Sequence, residues 1–92
     1  MLELTISKTY KKALKKLLKS GNFDEKKLIE VINKLLEEKM LDEKYQDHCL
    51  NGELADCRDC HIYNDMILIY KINKANKTLA LSNIGSHSDL FE

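Results

Sequence analysis

The feature that most limits what this chain can become is a change of hydrophobic period. Between positions 7 and 36 apolar residues recur every three or four places, whereas from 58 to 84 they alternate or run together. The first spacing keeps one face of a helix apolar and the second suits strands. A short alternation comes first: Leu2, Leu4 and Ile6 alternate with Glu3 and Thr5, which predicts a strand with one buried face. Ser7 can then cap a helix whose apolar stripe is Tyr10, Ala13, Leu14, Leu17 and Leu18. Gly21 is placed to end that helix. Asp24 can start a second, with Leu28, Val31, Ile32, Leu35 and Leu36 on its inner face. Two amphipathic helices joined this closely form an αα-hairpin.

Residues 41–56 are polar and irregular. From Arg58 the period is two, with Arg58, Cys60 and Ile62 facing one way and Asp59, His61 and Tyr63 the other. Asn64-Asp65 is a turn pair. Residues 66–72 are a β-rich apolar run, which predicts a central strand covered on both faces. Residues 73–77 then form a hairpin loop, and 78–84 form a last strand with Leu79 and Leu81 inward. The predicted fold is α+β in the order β-α-α-β-β-β, with two N-terminal helices packed on a small, mainly antiparallel sheet. A chain of 92 residues with no proline, repeat or linker is expected to be one domain over 1–92.

The longest apolar run is Met66-Ile67-Leu68-Ile69-Tyr70, far short of the ~20 residues of a membrane span. The start, MLELTISKTYKK, has no apolar leader segment. The expectation is a cytoplasmic protein with no membrane partner. Its 15 basic and 15 acidic residues cancel, yet they are unevenly placed. Residues 1–40 hold ten lysines against six acids, and residues 41–92 hold five basic residues against nine acids. Fields depend on local charge. Lys8, Lys12, Lys15, Lys16 and Lys19 fill the polar face of the first helix, where they either meet solvent or bind an anionic partner.

Cys57-Arg58-Asp59-Cys60-His61 fits the C-x-x-C-H pattern of c-type haem attachment. That chemistry normally requires export, and the segment falls in a predicted strand, so no cofactor is expected. Zinc held by Cys49, Cys57, Cys60 and His61 lacks the usual second ligand pair, and alternation sends Cys60 and His61 to opposite faces. No metal site is expected. The three histidines, His48, His61 and His87, all lie in the sheet half in polar surroundings beside Asp59 and Asp65. Histidine titrates near neutrality and can give or take a proton there. Two such groups flanking a phosphodiester suffice to cleave RNA without a metal, and a cation is needed for the charge that builds on phosphate. Arg58, the lone arginine, has the geometry for that contact.

Four blocks in order resemble the YafQ-like toxins of the RelE/ParE superfamily. Tyr45-Gln46-Asp47-His48-Cys49-Leu50-Asn51-Gly52 is similar to their Y-x-D-H-x-L-x-G, and Arg58-Asp59-Cys60-His61 to R-D/E-x-H. Asp65-Met66-Ile67-Leu68-Ile69-Tyr70 is similar to D-x-[IL]-L-[IV]-Y. Gly85-Ser86-His87-Ser88-Asp89-Leu90-Phe91 is similar to G-[ST]-H-x-x-L-F. The resemblance implies a type II toxin that cleaves mRNA in the ribosomal A site, and a cognate antitoxin that silences it. It implies His48 as general base and His87 as general acid. Asp65 and His61 would orient substrate and tune these groups, with Asp59 in support. Phe91 would stack on a base, with Arg58 either structural or on a phosphate. The charge of the Lys8, Lys12, Lys15 and Lys16 face makes it a candidate seat for rRNA phosphate or for an acidic antitoxin segment.

The chain departs from its relatives in three respects. Many carry arginine two residues before the glycine of the last block, where this chain has Asn83. Some carry tryptophan at the place of Met66, and many are markedly basic. A non-enzymatic protein on the same scaffold therefore stays open, either a ParE-like gyrase inhibitor or a degenerate toxin that only binds its antitoxin.

Overall fold

A computed structural model of the chain describes residues 1–37, 48–49 and 58–91, with positions 48, 49 and 91 at the level of the backbone. The elements in chain order are β1 (Glu3–Ile6), α1 (Lys8–Ser20), α2 (Glu25–Leu36), β2 (His48–Cys49), β3 (Arg58–Tyr63), β4 (Met66–Asn73), β5 (Thr78–Ser86) and α3 (His87–Phe91). The sheet order is β1-β5-β4-β3-β2. All pairs are antiparallel except β1 with β5, the first and last strands, which run parallel. The predicted order of elements is present, extended by the two-residue β2 and by α3, where only a tail was expected. Among the described residues no helix is long and apolar enough to cross a membrane.

The caps form where the sequence places them. Ser7 ends the pairing of β1, its N–H donating to the Leu81 carbonyl (3.0 Å). It also starts α1, its Oγ accepting from Tyr10 N–H (3.0 Å) while donating to the Ser82 carbonyl (2.7 Å). Gly21 closes α1 at φ 79°, the left-handed region that glycine enters without cost. Asp24 caps α2 by accepting from Lys27 N–H (3.3 Å). At the far end of α2 the Leu36 carbonyl accepts from Leu2 N–H (2.8 Å), tying that helix to the start of β1.

The main core lies between the two helices and one sheet face. Tyr10, Leu28, Val31 and Leu35 meet Cys60, Ile62, Leu68, Tyr70, Leu79, Leu81 and Ile84 there. Burial and a neighbouring Glu25 charge push the Tyr10 hydroxyl up to about 12. Ile67 and Ile69 are buried outside this cluster. They alternate with Leu68 and Tyr70 along β4 and so face the other way. The central strand is thus covered on both sides, as its unbroken apolar run predicts.

Three expectations fail. Leu4 and Ile6 pair with the core residues Leu79 and Leu81, so their phase is inward, yet they are 44% and 49% exposed. β1 is the edge strand, and the helices' apolar faces do not reach over it. Leu18 is likewise 45% exposed and lies outside the buried stripe of α1. Tyr63 does not share a face with Asp59 and His61. A register shift between His61 and Tyr63 turns it to the helix side. There it packs on Phe23 (centroids 6.1 Å apart), and its hydroxyl accepts from Asp24 N–H (2.9 Å).

Ser7→Ala should lower the free energy of unfolding by roughly 1–2 kcal/mol, through loss of the cap and of the tie to Ser82. Ser7→Asp, which can still cap but cannot donate to the Ser82 carbonyl, should recover part of it. Urea unfolding of the three chains measures both steps.

Candidate active site

Register places the sequence-selected residues in two rows across the sheet. The first row is His48, Asp59, Ile69 and Asn83, each the Cα partner of the next. The second is His61, Ile67 and Gly85. Cα partners share a face, so Asp59 and His61 stand with Ile67 and Ile69 on the face turned away from the helices. Asp59 is buried and His61 half-buried. Residues two apart on one strand are separated by about 7 Å, which brings these two into one neighbourhood.

Ser86 and Met66 are the last partners of the β4–β5 ladder. Asp65 and His87 lie one step beyond it, on the β3–β4 turn and at the first residue of α3, and both are exposed. His61 and Gly85 are two strands apart, about 10 Å between backbones. His87 therefore begins a short distance past the row that holds His61. The fold brings His61, Asp65 and His87 toward one end of the sheet, with Asp59 in the next row inward and the backbone of His48 opposite it. The side chains of His48 and Phe91 lie outside the described residues.

Arg58 is the partner of Tyr70, a core residue, so it shares the row of the helix-facing side chains rather than that of His61. Cys60 is fully buried in the core. The proposed zinc set would thus have to draw Cys60 and His61 from opposite faces. Its other members, Cys49 and Cys57, lie outside the described side chains. Among the described residues no cluster of His, Cys, Asp and Glu could hold a metal ion.

The lysines chosen from sequence, Lys8, Lys12, Lys15 and Lys16, are all exposed on α1, a helix without an acidic residue. Lys16 also lines a groove of about 330 Å³ between α1, β5 and α3. Ala13, Leu17, Ile84 and Leu90 supply its apolar wall, and Asn83 and Asp89 stand at its polar side. Asn83 follows a register shift in β5, and its Oδ1 accepts from Ile84 N–H (2.9 Å).

Residues that sequence reasoning missed sit at the start of α3. Ser86 N–H donates to Asp89 Oδ2 (3.1 Å), and Asp89 N–H donates to Ser86 Oγ (3.2 Å). This reciprocal pair is a capping box with aspartate in the third helical position. A serine three residues before an acid was visible in the sequence. The hydrogen bonds from Ser86, with a smaller contribution from the Lys16 charge, hold the Asp89 carboxyl below its ordinary range.

The chain matches, over residues 2–92, the family model described as bacterial toxin of type II toxin-antitoxin system, YafQ. The chain belongs to the YafQ toxin family. A metal-bound toxin from Helicobacter pylori is 46% identical, with TM-score 0.91 over 99% of this chain and all of that one. YafQ in the Escherichia coli DinJ-YafQ complex is 30% identical, with TM-score 0.87 over the whole of both chains. The mRNA interferase toxin YafQ of E. coli strain K12 is 43% identical over 47 residues, 51% of this chain and 49% of that protein. The chain thus spans about half the length of this curated relative, and 63% of one from Haemophilus influenzae. The likeness to solved YafQ structures agrees with the predicted α+β architecture of two helices on a small, mainly antiparallel sheet.

Because the Asp89 carboxyl is depressed in the folded chain, its share of the α3 cap is fully present above the ordinary aspartate range. It is lost as pH falls through the lowered value. The Ser86 amide resonance should move with that single low-pH titration in wild type and stay flat in Asp89→Asn, as an amide NMR titration would show.

Proposed function

We propose that this YafQ family member is an mRNA interferase, a single-domain endoribonuclease that cuts mRNA in the ribosomal A site. The observation that carries the reading is that His61, Asp65 and His87, from three separate segments, lie toward one end of the sheet, with Asp59 two residues behind His61 on the same face. The E. coli relative's name as an mRNA interferase toxin supports it. In the proposed reaction His48 takes the proton of a ribose 2′-OH. The freed oxygen attacks the adjoining phosphorus, and His87 gives its proton to the departing 5′-oxygen. The products are a 2′,3′-cyclic phosphate and a 5′-hydroxyl, so protons and bonds balance without a metal. General acid–base groups of this kind contribute about 10²–10⁴-fold each.

Asp65 orients the substrate from the turn at the ladder's end. His61 and Asp59 orient the substrate from the sheet face. Phe91 stacks on a base near the cut, as aromatics do on unpaired RNA. Positive charge comes from Lys8, Lys12, Lys15 and Lys16, which seat the RNA and rRNA backbone. Arg58, on the opposite sheet face, has no assigned part in the reaction. The protein acts in the cytoplasm, and a cognate antitoxin silences it, as the DinJ-YafQ complex of its E. coli relative suggests.

The uncharged Asn83, where many relatives carry arginine, favours one alternative: a toxin-fold protein that binds its antitoxin and leaves RNA whole. Translation of a defined mRNA with added protein separates the two by mapping new 5′ ends. Cuts phased to codons should appear with wild type and fall by about 10²–10⁴-fold in His87→Ala. Intact mRNA with folded wild-type protein would sink the nuclease reading. Cleavage should also survive dialysis against EDTA. Loss of activity that zinc or copper restores would assign the reaction to a metal, a comparison that the metal-bound H. pylori toxin makes worth running.

A further inference from the structure

We propose that Asp89 is a positioning residue: bonded to Ser86 and seated against Gly85, it fixes the first turn of α3 and thereby the place of His87 against the phosphate. The inference rests on the reading of His87 as general acid. It starts from a mechanical difficulty. His87 is exposed and opens a helix of five residues. Helices of that length have no stability of their own. A proton donor there needs its backbone held from outside, because small misplacements cost rate steeply.

Three contacts supply that hold. The two Ser86–Asp89 hydrogen bonds (3.1 and 3.2 Å) close a ring around His87 and Ser88, so the residue carrying the imidazole lies inside the clamp. Gly85 permits the close approach. A Cβ on it would stand 3.0 Å from Asp89 Cβ and 3.2 Å from Oδ2, so the Asp89 side chain would have to shift by a few tenths of an ångström. The exposed Lys16 of α1 lines the same groove as Asp89, and its charge adds a small part to what the Ser86 hydrogen bonds do for the carboxylate. Asp89 thus couples α3 to β5 through hydrogen bonds and to α1 through charge. In the block G-[ST]-H-x-x-L-F its position is unrestricted, so the motif does not assign it this role.

The test uses the full chain in five forms: wild type, Asp89→Ala, Gly85→Ala, Ser86→Ala and Ser86→Thr. Three quantities are read. These are the thermal unfolding midpoint, the His87 ring resonances and their titration in the free protein, and single-turnover mRNA cleavage on ribosomes. Asp89→Ala and Gly85→Ala should leave the midpoint near wild type and shift the His87 ring signals. The maximal cleavage rate should fall on the order of 10–100-fold with little change in the half-saturating ribosome concentration. Ser86→Thr, which keeps the acceptor oxygen, should restore what Ser86→Ala loses. Unchanged His87 signals in Asp89→Ala would overturn the proposal, as would equal losses in the two Ser86 variants. Should Gly85→Ala fail to fold, Asp89→Asn, which keeps an acceptor but no charge, takes its place. Should wild type cut no RNA, the nuclease reading falls and the His87 resonances alone decide this one.

Discussion

β5 is the element on which the others depend. It bonds to β4 on one side and to β1 on the other, and it runs without a break into α3. Its inward residues Leu79, Leu81 and Ile84 are almost wholly buried and face the helices. Its register with β4 sets where Gly85 and His87 fall relative to His61. Because side chains alternate, a slip of one residue would turn each of these side chains to the opposite face. The apolar pattern that fills the core therefore also fixes the site. Ile67 and Ile69, buried on the reverse face, belong to the rows that hold Asp59, His61 and Gly85.

The zero net charge of the chain is a sum over two surfaces. The α1 lysines are exposed, and no acid on their own helix neutralises them. The acidic residues of the site, Asp59 and Asp65, lie on β3 and on the turn that follows it. At physiological salt, exposed charges further apart than ~8 Å are largely screened from one another. A phosphate backbone laid on α1 would therefore meet the lysines rather than the average. Lys16 lines one groove with Asp89, at the start of α3.

Most of the fold was legible because it is written in local terms. Ser7, Gly21 and Asp24 cap their helices through their own side chains or their own backbone freedom. The apolar run of β4 could only be a doubly covered strand. What was not legible depends on non-local geometry. Leu4 and Ile6 have inward phase but no helix above them, which follows from the edge position of β1 and not from their spacing. Tyr63 breaks alternation because a register shift, invisible in a pattern of period two, rotates the end of β3. At the site, residue types and blocks pointed to Asp59, His61, Asp65 and His87. Their grouping needed the register, which no spacing along the chain reveals. The Ser86–Asp89 pair was legible in principle. A helix of five residues is too short for an apolar period to announce it.

A site assembled this way has one weak joint. Asp59 and His61 are held by a strand with partners on both sides, and Asp59 is buried. His87 stands outside the ladder on a single turn, exposed to solvent. Rigid sheet geometry places the groups that would bind, while the group that would move the proton depends on a few hydrogen bonds at the surface. Surface hydrogen bonds contribute only about 1 kcal/mol each, so this part of the molecule opens at far less cost than the core. That asymmetry suits the proposed silencing by an antitoxin. A partner that reorders α3 alone would disable the proton donor and leave the fold beneath it intact.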